Sequence, residues 1–387
     1  MTPAARIAAA AGVIDAILSG EPAERALLTW SRGARYAGSK DRAALRDLVF
    51  DAIRRRRSLA WVGGARTGRG LMLGSLRVDG LDPATLMTGE GHALAPPTVD
   101  EGEGDLAKAP LAVRLDMPDW LLPRLDASLG RDLEPACMAL RDRAPTFLRA
   151  NLLKISRAAA IDALAVEGIA VEPVIDVATA LRVTSGARAI VRSRAYLDGL
   201  VELQDASSQA AVLALPLADG DRVLDLCAGG GGKALAMGAL ARLQLAAHDA
   251  DPARMSDLPA RAARAGLAID RLARPDAHAP YDLVLVDAPC SGSGSWRRAP
   301  DAKWRLTAGR LDELAGIQAR LIDEAARLVQ TGGHLAFATC SMLDEEGADQ
   351  ANAFLGRTEG WTQVGRLRRL PGPSGDGFFQ AVLRRLV

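Results

Sequence analysis

The sequence has 387 residues, of which 49% are hydrophobic and 25% are charged, and its formal net charge is +1. This length exceeds what one ordinary hydrophobic core organises, so we expect two or three domains. The chain has no run of eighteen apolar residues, which excludes a membrane-spanning helix and predicts a globular protein without a membrane partner. The net charge near zero neither supports nor excludes a nucleic-acid partner, because acidic segments elsewhere can offset a basic face.

Residues 1–135 are predicted to form a helical N-terminal domain. Within 41–53, the apolar residues Leu45, Val49 and Ile53 share one face at helical spacing. Four consecutive arginines follow at 54–57. Two interpretations stay open for them, a solvated helix end and a contact with RNA phosphates.

Two further regions follow along the chain. Residues 143–215 mix a short strand pattern at 146–151 with a helical pattern at 157–167, which indicates a small α/β subdomain. From 216 to 387 strand and helix patterns alternate, with strands at 222–226, 243–248, 283–286 and 334–338 and a long helix at 308–330. Such alternation predicts a doubly wound, Rossmann-like parallel sheet, whose ligands bind beyond the carboxyl ends of the strands. An apolar stretch at 378–383 predicts a last, antiparallel strand at the end of the sheet.

A glycine-rich loop follows the first strand of this sheet and consists of Asp225, Leu226, Cys227, Ala228, Gly229, Gly230, Gly231, Gly232 and Lys233. A P-loop would need Gly at 227 and Ser or Thr at 234, whereas the chain has Cys227 and Ala234. Asp249 follows twenty residues after Gly229, where a carboxylate can accept hydrogen bonds from ribose hydroxyls. This pattern fits NAD and S-adenosyl-L-methionine equally, and glycines that serve only helix packing remain an alternative.

The four cysteines are Cys137, Cys227, Cys290 and Cys340. They form no Cys-x-x-Cys pair, which argues against zinc, and their wide separation gives no disulfide framework, so we expect a reducing cytoplasm and no metal. We interpret the thiols of Cys137 and Cys227 as buried packing groups. Cys290 and Cys340 instead end successive strands, so both thiols can face one crevice. A hydride-transfer enzyme has no general need for two such thiols, whereas methylation of carbon 5 of cytosine needs a nucleophile that adds to carbon 6.

At these residues the chain resembles the Sun-domain (Fmu-type) RNA cytosine-5 methyltransferases, and among them enzymes of bacterial small-subunit ribosomal RNA. The matching stretches are 148–154, 204–209, 225–233, 287–294, 297–304, 339–341 with Glu345 and Glu346, and 375–379. The helical N-terminal region resembles, more weakly, a NusB-like RNA-binding domain. One departure is Gly229-Gly230, where the family usually has Ala-Pro or Gly-Pro.

The resemblance implies roles for individual residues. Cys340 would add to carbon 6 of cytosine, and Cys290 would assist loss of the carbon 5 proton and release of the enzyme. Asp287 would lie beside the base or the cofactor. Lys233, Asp249 and Asp276 would hold S-adenosylmethionine, together with the backbone of the glycine-rich loop.

The resemblance also implies partners. The substrate would be RNA, with 16S ribosomal RNA as the first candidate, and we expect a monomer. Beside a nucleic-acid crevice, Arg297, Arg298 and Lys303 are predicted to contact phosphates. Asp276 could instead be an ordinary loop carboxylate. From a different functional class, a non-catalytic RNA-binding or ribosome-assembly factor could retain this fold, and the Gly229-Gly230 departure is its best support.

Overall fold

A computed structural model of the chain describes residues 1–102 and 104–387. The described chain divides into two compact units, which are treated separately below. Unit 1 comprises Met1–Arg143 and Trp296–Leu306, and unit 2 comprises Ala144–Ser295 and Thr307–Val387.

The N-terminal part of unit 1 is helical, as predicted. Its helices are α1 (Pro3–Leu18), α2 (Ala23–Gly33), α3 (Ser39–Arg54), α4 (Arg56–Val62), α5 (Gly68–Val78), α6 (Leu111–Arg114), α7 (Leu122–Leu129) and α8 (Leu133–Ala139). The side chain of Thr2 caps α1 by accepting a hydrogen bond from the Ala5 amide at 3.2 Å. Leu45, Val49 and Ile53 of α3 are fully buried in the core, as their helical spacing predicted.

Unit 1 contains a buried carboxylate, Asp116, that binds the start of α4. Asp116 accepts hydrogen bonds from the amides of Arg57 and Ser58, both at 2.8 Å, and from the Ser58 hydroxyl at 2.7 Å. The Arg141 guanidinium lies 3.0 Å from the same carboxylate. Burial raises the pKa of Asp116, and these donors and cations offset part of that cost.

The segment 296–306 is part of unit 1, and this corrects two predictions. Arg297 and Lys303, expected to contact phosphates, are 2% and 1% exposed, because the segment packs into the helical unit. The Lys303 amine donates to the Arg54 carbonyl at 3.4 Å, and burial lowers the pKa of Lys303 to about 8. Arg54 is itself 6% exposed and donates to the Arg297 carbonyl at 2.8 Å. Neither interpretation of the basic run therefore applies to Arg54, whereas Arg298 is exposed and its phosphate contact stays a prediction.

Unit 2 begins with a small antiparallel sheet and its helices. The elements are β1 (Phe147–Ala150), α9 (Arg157–Val166), β2 (Ala170–Pro173), β3 (Ala180–Ser185), α10 (Arg194–Leu197), β4 (Val201–Leu203) and α11 (Ala206–Leu213). The strand order is β2-β3-β1-β4. The predicted strand at 146–151 and helix at 157–167 are therefore present with slightly shorter bounds.

The larger sheet of unit 2 follows. The remaining elements of the chain are β5 (Arg222–Asp225), α12 (Gly232–Gly238), β6 (Gln244–Ala247), α13 (Leu258–Ala265), β7 (Asp270–Arg271), β8 (Tyr281–Asp287), α14 (Pro300–Arg305, in unit 1), α15 (Ala308–Leu328), β9 (Val329–Thr339), α16 (Ala348–Arg357), β10 (Trp361–Arg369) and β11 (Phe378–Arg385). The strand order is β10-β11-β9-β8-β5-β6-β7. Strands β5 to β9 pair in parallel, which confirms the predicted Rossmann-like fold.

One detail of the predicted sheet is wrong. Strand β11 is antiparallel as expected, but it lies between β9 and β10 and does not end the sheet. At this end of the sheet the edge strand is β10, whose residues are exposed or half-buried throughout. Without a buried face, β10 lacks the apolar alternation by which strands are recognised in sequence.

The order of the strands determines where a ligand can bind. The chain passes from β5 outward through β6 and β7, and then returns to the other side of β5 as β8 and β9. At such a switch point the loops after neighbouring strands diverge and leave a crevice beyond their carboxyl ends. The glycine-rich loop follows β5, and Cys290 follows β8.

The contacts of Asp116 generate a test of stability. Asp116→Ala removes the carboxylate and leaves two amides and the Arg141 cation without their acceptor, so we expect a loss of about 3 to 5 kcal/mol in the free energy of unfolding. Asp119→Ala is the matched control, since Asp119 is exposed and, among the described residues, forms an ion pair only with Arg57, at 2.7 Å. This substitution should cost less than about 1 kcal/mol. Thermal unfolding of the full chain measures both. Equal shifts in the two variants would show that Asp116 does not hold α4.

Candidate functional site

A pocket of about 550 Å³ lies in unit 2 beyond the carboxyl ends of β5, β6, β8 and β9. Most of the residues predicted to form the site line it, namely Cys227, Ala228, Gly229, Gly230, Gly232, Lys233, Asp249, Asp287, Cys290 and Cys340. Gly231 and Asp276 are not part of this lining. The pocket is large enough for a nucleoside-sized ligand, since small-molecule sites usually measure about 300–1,000 Å³.

The glycine-rich loop turns sharply between β5 and α12. Gly229 and Gly231 have φ angles of +50° and +76°, in the left-handed region that glycine adopts without strain. A Cβ atom on Gly231 would lie 2.2 Å from Leu258 Cδ1, so this glycine also permits close packing against α13. Gly231 therefore faces α13 and not the pocket, which explains why it does not line the pocket.

Asp249 follows β6 and is 4% exposed. One carboxylate oxygen accepts a hydrogen bond from the Gly229 amide at 2.9 Å, and the other accepts one from the Asp251 amide at 3.0 Å. The Arg254 guanidinium lies 3.3 Å from the oxygen that Gly229 binds. Each carboxylate oxygen has a second lone pair, so Asp249 can still accept a hydrogen bond from a ligand hydroxyl in the pocket.

Asp225 ends β5 and is 1% exposed. Its Oδ2 accepts a hydrogen bond from the Ala234 amide at 3.1 Å, but its Oδ1 has no hydrogen-bond partner in the described chain. Burial raises the pKa of Asp225 to about 7, against the opposing effect of the Lys233 charge. A buried acceptor without a donor is costly, and a ligand with an ammonium group would satisfy it.

Lys233 and Asp287 form an ion pair inside the pocket. Burial acts to lower the pKa of Lys233, but the charges of Asp287 and Asp225 outweigh it and raise the pKa above its usual value. The Lys233 amine also lies 5.2 Å from the centre of the Phe378 ring. Lys233 therefore stays charged at neutral pH and sets the orientation of the Asp287 carboxylate.

The two thiols that the sequence placed at strand ends are close together. Cys290 Sγ lies 3.4 Å from Cys340 Sγ, and the Ser295 hydroxyl donates to Cys340 Sγ at 3.8 Å. The hydrogen bond from Cys290 lowers the pKa of Cys340, while the same contact and burial raise the pKa of Cys290 well above its usual value. Of the two thiols, Cys340 is therefore the one that ionises more readily.

Glu346 connects the two loops that carry these thiols and is fully buried. Its carboxylate accepts hydrogen bonds from the amide of Ser291 at 2.7 Å, from the Ser291 hydroxyl, and from the Ser341 hydroxyl at 2.7 Å. Gln318 of α15 donates to the same carboxylate at 3.2 Å. Because Ser291 follows Cys290 and Ser341 follows Cys340, one carboxylate fixes both thiols.

Sequence reasoning did not assign these roles. Glu346 belongs to a motif noted only for its resemblance, and no spacing rule relates it to Cys290.

Arg149 of β1 also contributes to the site. It is 3% exposed and donates hydrogen bonds to Gln204 at 2.5 Å and to the Gly232 carbonyl at 2.9 Å. Gln204 lines the pocket, so the small sheet supports the glycine-rich loop. Burial lowers the pKa of Arg149 to about 10.

Asp276 is placed differently from the other predicted site residues. It lies in the turn before β8, its side chain is 56% exposed, and it pairs with Arg274 at 2.7 Å. The hydrogen bond from Arg274 lowers the pKa of Asp276. Its role in cofactor binding stays a prediction.

Two further observations on the described residues concern metal-binding clusters and membrane-spanning helices. Within residues 1–102 and 104–387, no group of three or more His, Cys, Asp or Glu side chains is arranged to hold a metal ion. In the same part of the chain, no helix is both long and apolar enough to cross a membrane.

Comparisons with solved structures show the fold. PH0851 superposes with a TM-score of 0.78 at 23% identity, over 100% of this chain and 99% of that chain. NSun6 from Pyrococcus horikoshii, solved with SFG, gives a TM-score of 0.62 at 18% identity, over 70% of this chain and 99% of that chain.

Comparisons of sequence show the family. Residues 212–384 match the family described as 16S rRNA methyltransferase RsmB/F, and 117–189 match the ferredoxin-like domain of RsmF/B-like methyltransferases. The ribosomal RNA small subunit methyltransferase B of Serratia proteamaculans is 31% identical over 90% of this chain and 91% of its own length. The protein of that name in Escherichia coli K12 is 34% identical over 69% of this chain and 66% of its own length. The chain therefore belongs to the RsmB/F family of methyltransferases.

Proposed function

We propose that this protein methylates carbon 5 of a cytosine in RNA, with S-adenosylmethionine as the methyl donor and 16S ribosomal RNA as the substrate. The observation that carries the proposal is the pair of thiols 3.4 Å apart in the lining of a nucleoside-sized pocket. The names of the relatives support an rRNA substrate, since the matched proteins are called ribosomal RNA small subunit methyltransferases.

The pocket residues fit S-adenosylmethionine by their chemistry. The unpartnered Oδ1 of Asp225 suits the ammonium group of the methionine moiety. Asp249 suits the ribose hydroxyls, and the glycine-rich loop allows the backbone to approach the ligand closely. When bound, S-adenosylmethionine supplies an electrophilic methyl group.

The thiols supply the activation that cytosine requires. In the proposed reaction the Cys340 thiolate forms a bond to carbon 6, and the electron density moves to carbon 5, which accepts the methyl group. Once Cys340 is bound to carbon 6, its negative charge no longer raises the pKa of Cys290, so Cys290 can lose its own proton to solvent and its thiolate can accept the proton from carbon 5. The carbon–sulfur bond then breaks, so the ring regains its aromaticity, Cys340 leaves as a thiolate, and S-adenosylhomocysteine is the second product. Cys290 assists this second stage. Lys233 and Asp287 lie beside the thiols, where they can orient the base by hydrogen bonds.

The target cytosine must be accessible for this reaction. Carbon 6 of a base stacked inside a duplex cannot reach Cys340 at the end of a strand. We therefore propose that the substrate cytosine lies in a loop or is flipped out of its helix.

The two thiols give a test that separates their roles. We expect Cys340→Ala to abolish turnover and any covalent RNA complex, because the ring is never activated. Cys290→Ala should still allow attack and methyl transfer and then stall with RNA attached through Cys340. A denaturing gel with labelled RNA and S-adenosylmethionine should show a shifted band for Cys290→Ala alone. The reverse pattern would make Cys290 the nucleophile, and RNA binding by both variants is the control.

The cofactor pocket gives a second test. Asp249→Asn replaces an oxygen acceptor by an amide, so affinity for S-adenosylmethionine should fall by about 1 to 3 kcal/mol. Asp251→Asn is the matched control, because Asp251 is exposed, does not line the pocket and should leave affinity unchanged. Calorimetry measures both. Unaltered binding by Asp249→Asn would exclude the ribose contact, and a wild-type protein that binds no S-adenosylmethionine would favour the non-catalytic RNA-binding factor.

Glu346 is a positioning residue in this proposal, and it gives a third test. Glu346→Gln keeps the volume but replaces one acceptor oxygen by a donor, so the hydroxyls of Ser291 and Ser341 lose their common acceptor. We expect kcat to fall roughly tenfold or more while affinity for S-adenosylmethionine stays unchanged. The pH profile of Cys340 alkylation should also move upward, because a displaced Cys290 no longer stabilises the thiolate. A loss of stability alone would leave that pH profile in place.

A further inference from the structure

A second cavity, of about 420 Å³, lies within unit 1. Its polar and aromatic lining consists of Arg56, Arg57, Arg66, Asp119, Trp120 and Trp304. We refer to it as the tryptophan–arginine pocket. Its volume falls in the range of about 300–1,000 Å³ that is usual for small-molecule sites.

The charges of this pocket are not balanced. Asp119 is its one acidic lining residue, and it is already paired with Arg57 at 2.7 Å. In the described chain, Arg56 and Arg66 have neither an ion-pair partner nor a hydrogen-bond acceptor. Burial, and then the like charges of Arg66 and Arg57, lower the pKa of Arg56. Cations that repel one another in a half-buried cavity favour binding of an anion.

The aromatic residues of the pocket stand beside these cations. The Arg56 guanidinium lies 5.1 Å from the centre of the Trp304 ring. The Trp304 indole is held in place, because its Nε1 donates to the Ile53 carbonyl at 2.8 Å. Trp120 is only partly buried and adds a second aromatic surface. Aromatic rings beside arginines are what proteins use to stack a base and contact its phosphate in single-stranded nucleic acid.

We propose that the tryptophan–arginine pocket binds one nucleotide of a single-stranded RNA segment, with its base against the tryptophans and its phosphate at Arg56 and Arg66. Arginine suits this role, because its planar guanidinium donates two parallel hydrogen bonds to a phosphate. The proposal rests on the proposed function, since it takes RNA as the substrate. It assigns an RNA contact to unit 1 that is independent of the cofactor pocket in unit 2.

Binding of a fluorescent single-stranded RNA oligonucleotide to the full chain tests the proposal. We expect Trp120→Ala to weaken binding roughly 5- to 100-fold through lost stacking, and Trp120→Phe to retain most of it. Arg66→Ala should reduce the slope of log affinity against log salt by about 0.7, the effect of one lost phosphate contact. Arg35→Ala is the matched control, because Arg35 is also exposed and lies outside the pocket. For Arg35→Ala, the slope of log affinity against log salt should equal that of the wild type.

The competitors in the same assay distinguish the source of the ligand. Cytidine and adenosine monophosphates should displace the RNA only weakly. Any displacement of the RNA by polyglutamate should be the same in the wild type and in Trp120→Ala. Mononucleotides that bind as tightly as the oligonucleotide would make the pocket a site for a free nucleotide. Displacement by polyglutamate that Trp120→Ala abolishes would make it a site for acidic peptides. Either result would overturn the proposal.

Failure of this proposal and failure of the proposed function give different results. If the wild type binds and methylates RNA, while Trp120→Ala and Arg66→Ala bind RNA as Arg35→Ala does, then only the pocket proposal is wrong. If the wild type transfers no methyl group to RNA, the proposed function is wrong. Calorimetry with S-adenosylmethionine checks that unit 2 of each variant is folded, and thermal unfolding of the full chain checks unit 1, which carries the substitutions.

Discussion

The parallel pairing of β8 with β9 is the constraint on which the geometry of the two thiols depends. In this register Asp287 lies opposite Ala338, so Cys290 comes three residues after Asp287 and Cys340 comes two residues after Ala338. The two loops start side by side and cannot separate without breaking the sheet. Glu346 then closes the arrangement, because its carboxylate accepts hydrogen bonds from residues adjacent to both thiols. A one-residue shift of either strand would offset the two loops by about 3.3 Å along the strands and so separate the thiols.

The electrostatics of the site follow from this proximity. Two thiols 3.4 Å apart cannot ionise independently, because a thiolate on one is stabilised by the proton on the other. The Lys233 charge and the Ser295 hydroxyl lie on the Cys340 side and favour the thiolate there. The same lysine is paired with Asp287 and lies near Asp225, so one cation interacts with the Cys340 thiol and with both carboxylates. Replacing Lys233 would therefore affect several steps together and would identify none of them.

The sequence predicted those parts of the site that local pattern determines. Cys290, Cys340 and Asp249 each follow a recognisable strand, and the topology of a parallel sheet brings such positions to one edge. Lys303 could not be predicted in this way. Its position in the sequence, close to Cys290, suggested a place beside the crevice, but segment 296–306 packs into unit 1 and buries it. Tertiary packing, which local pattern does not contain, determines that burial. The role of Glu346 could not be predicted from the sequence for a related reason, because its hydrogen-bond donors Ser291 and Gln318 are distant from it along the chain.

The fate of the basic residues in unit 1 shows why charge counts alone do not identify an RNA-binding surface. Arg54 donates to a backbone carbonyl and to Asp51, and Arg57 is paired with Asp119, so their charges are compensated within the fold. Arg56, between them in sequence, is left with an aromatic ring and like-charged neighbours. The run 54–57 spans the end of α3 and the start of α4, so its arginines lie in several different environments. Arg56 is the residue of this run that indicates a binding site, because its charge has no anionic partner in the described chain and it lines a cavity. A bound anion would therefore stabilise Arg56 more than it would stabilise Arg54 or Arg57.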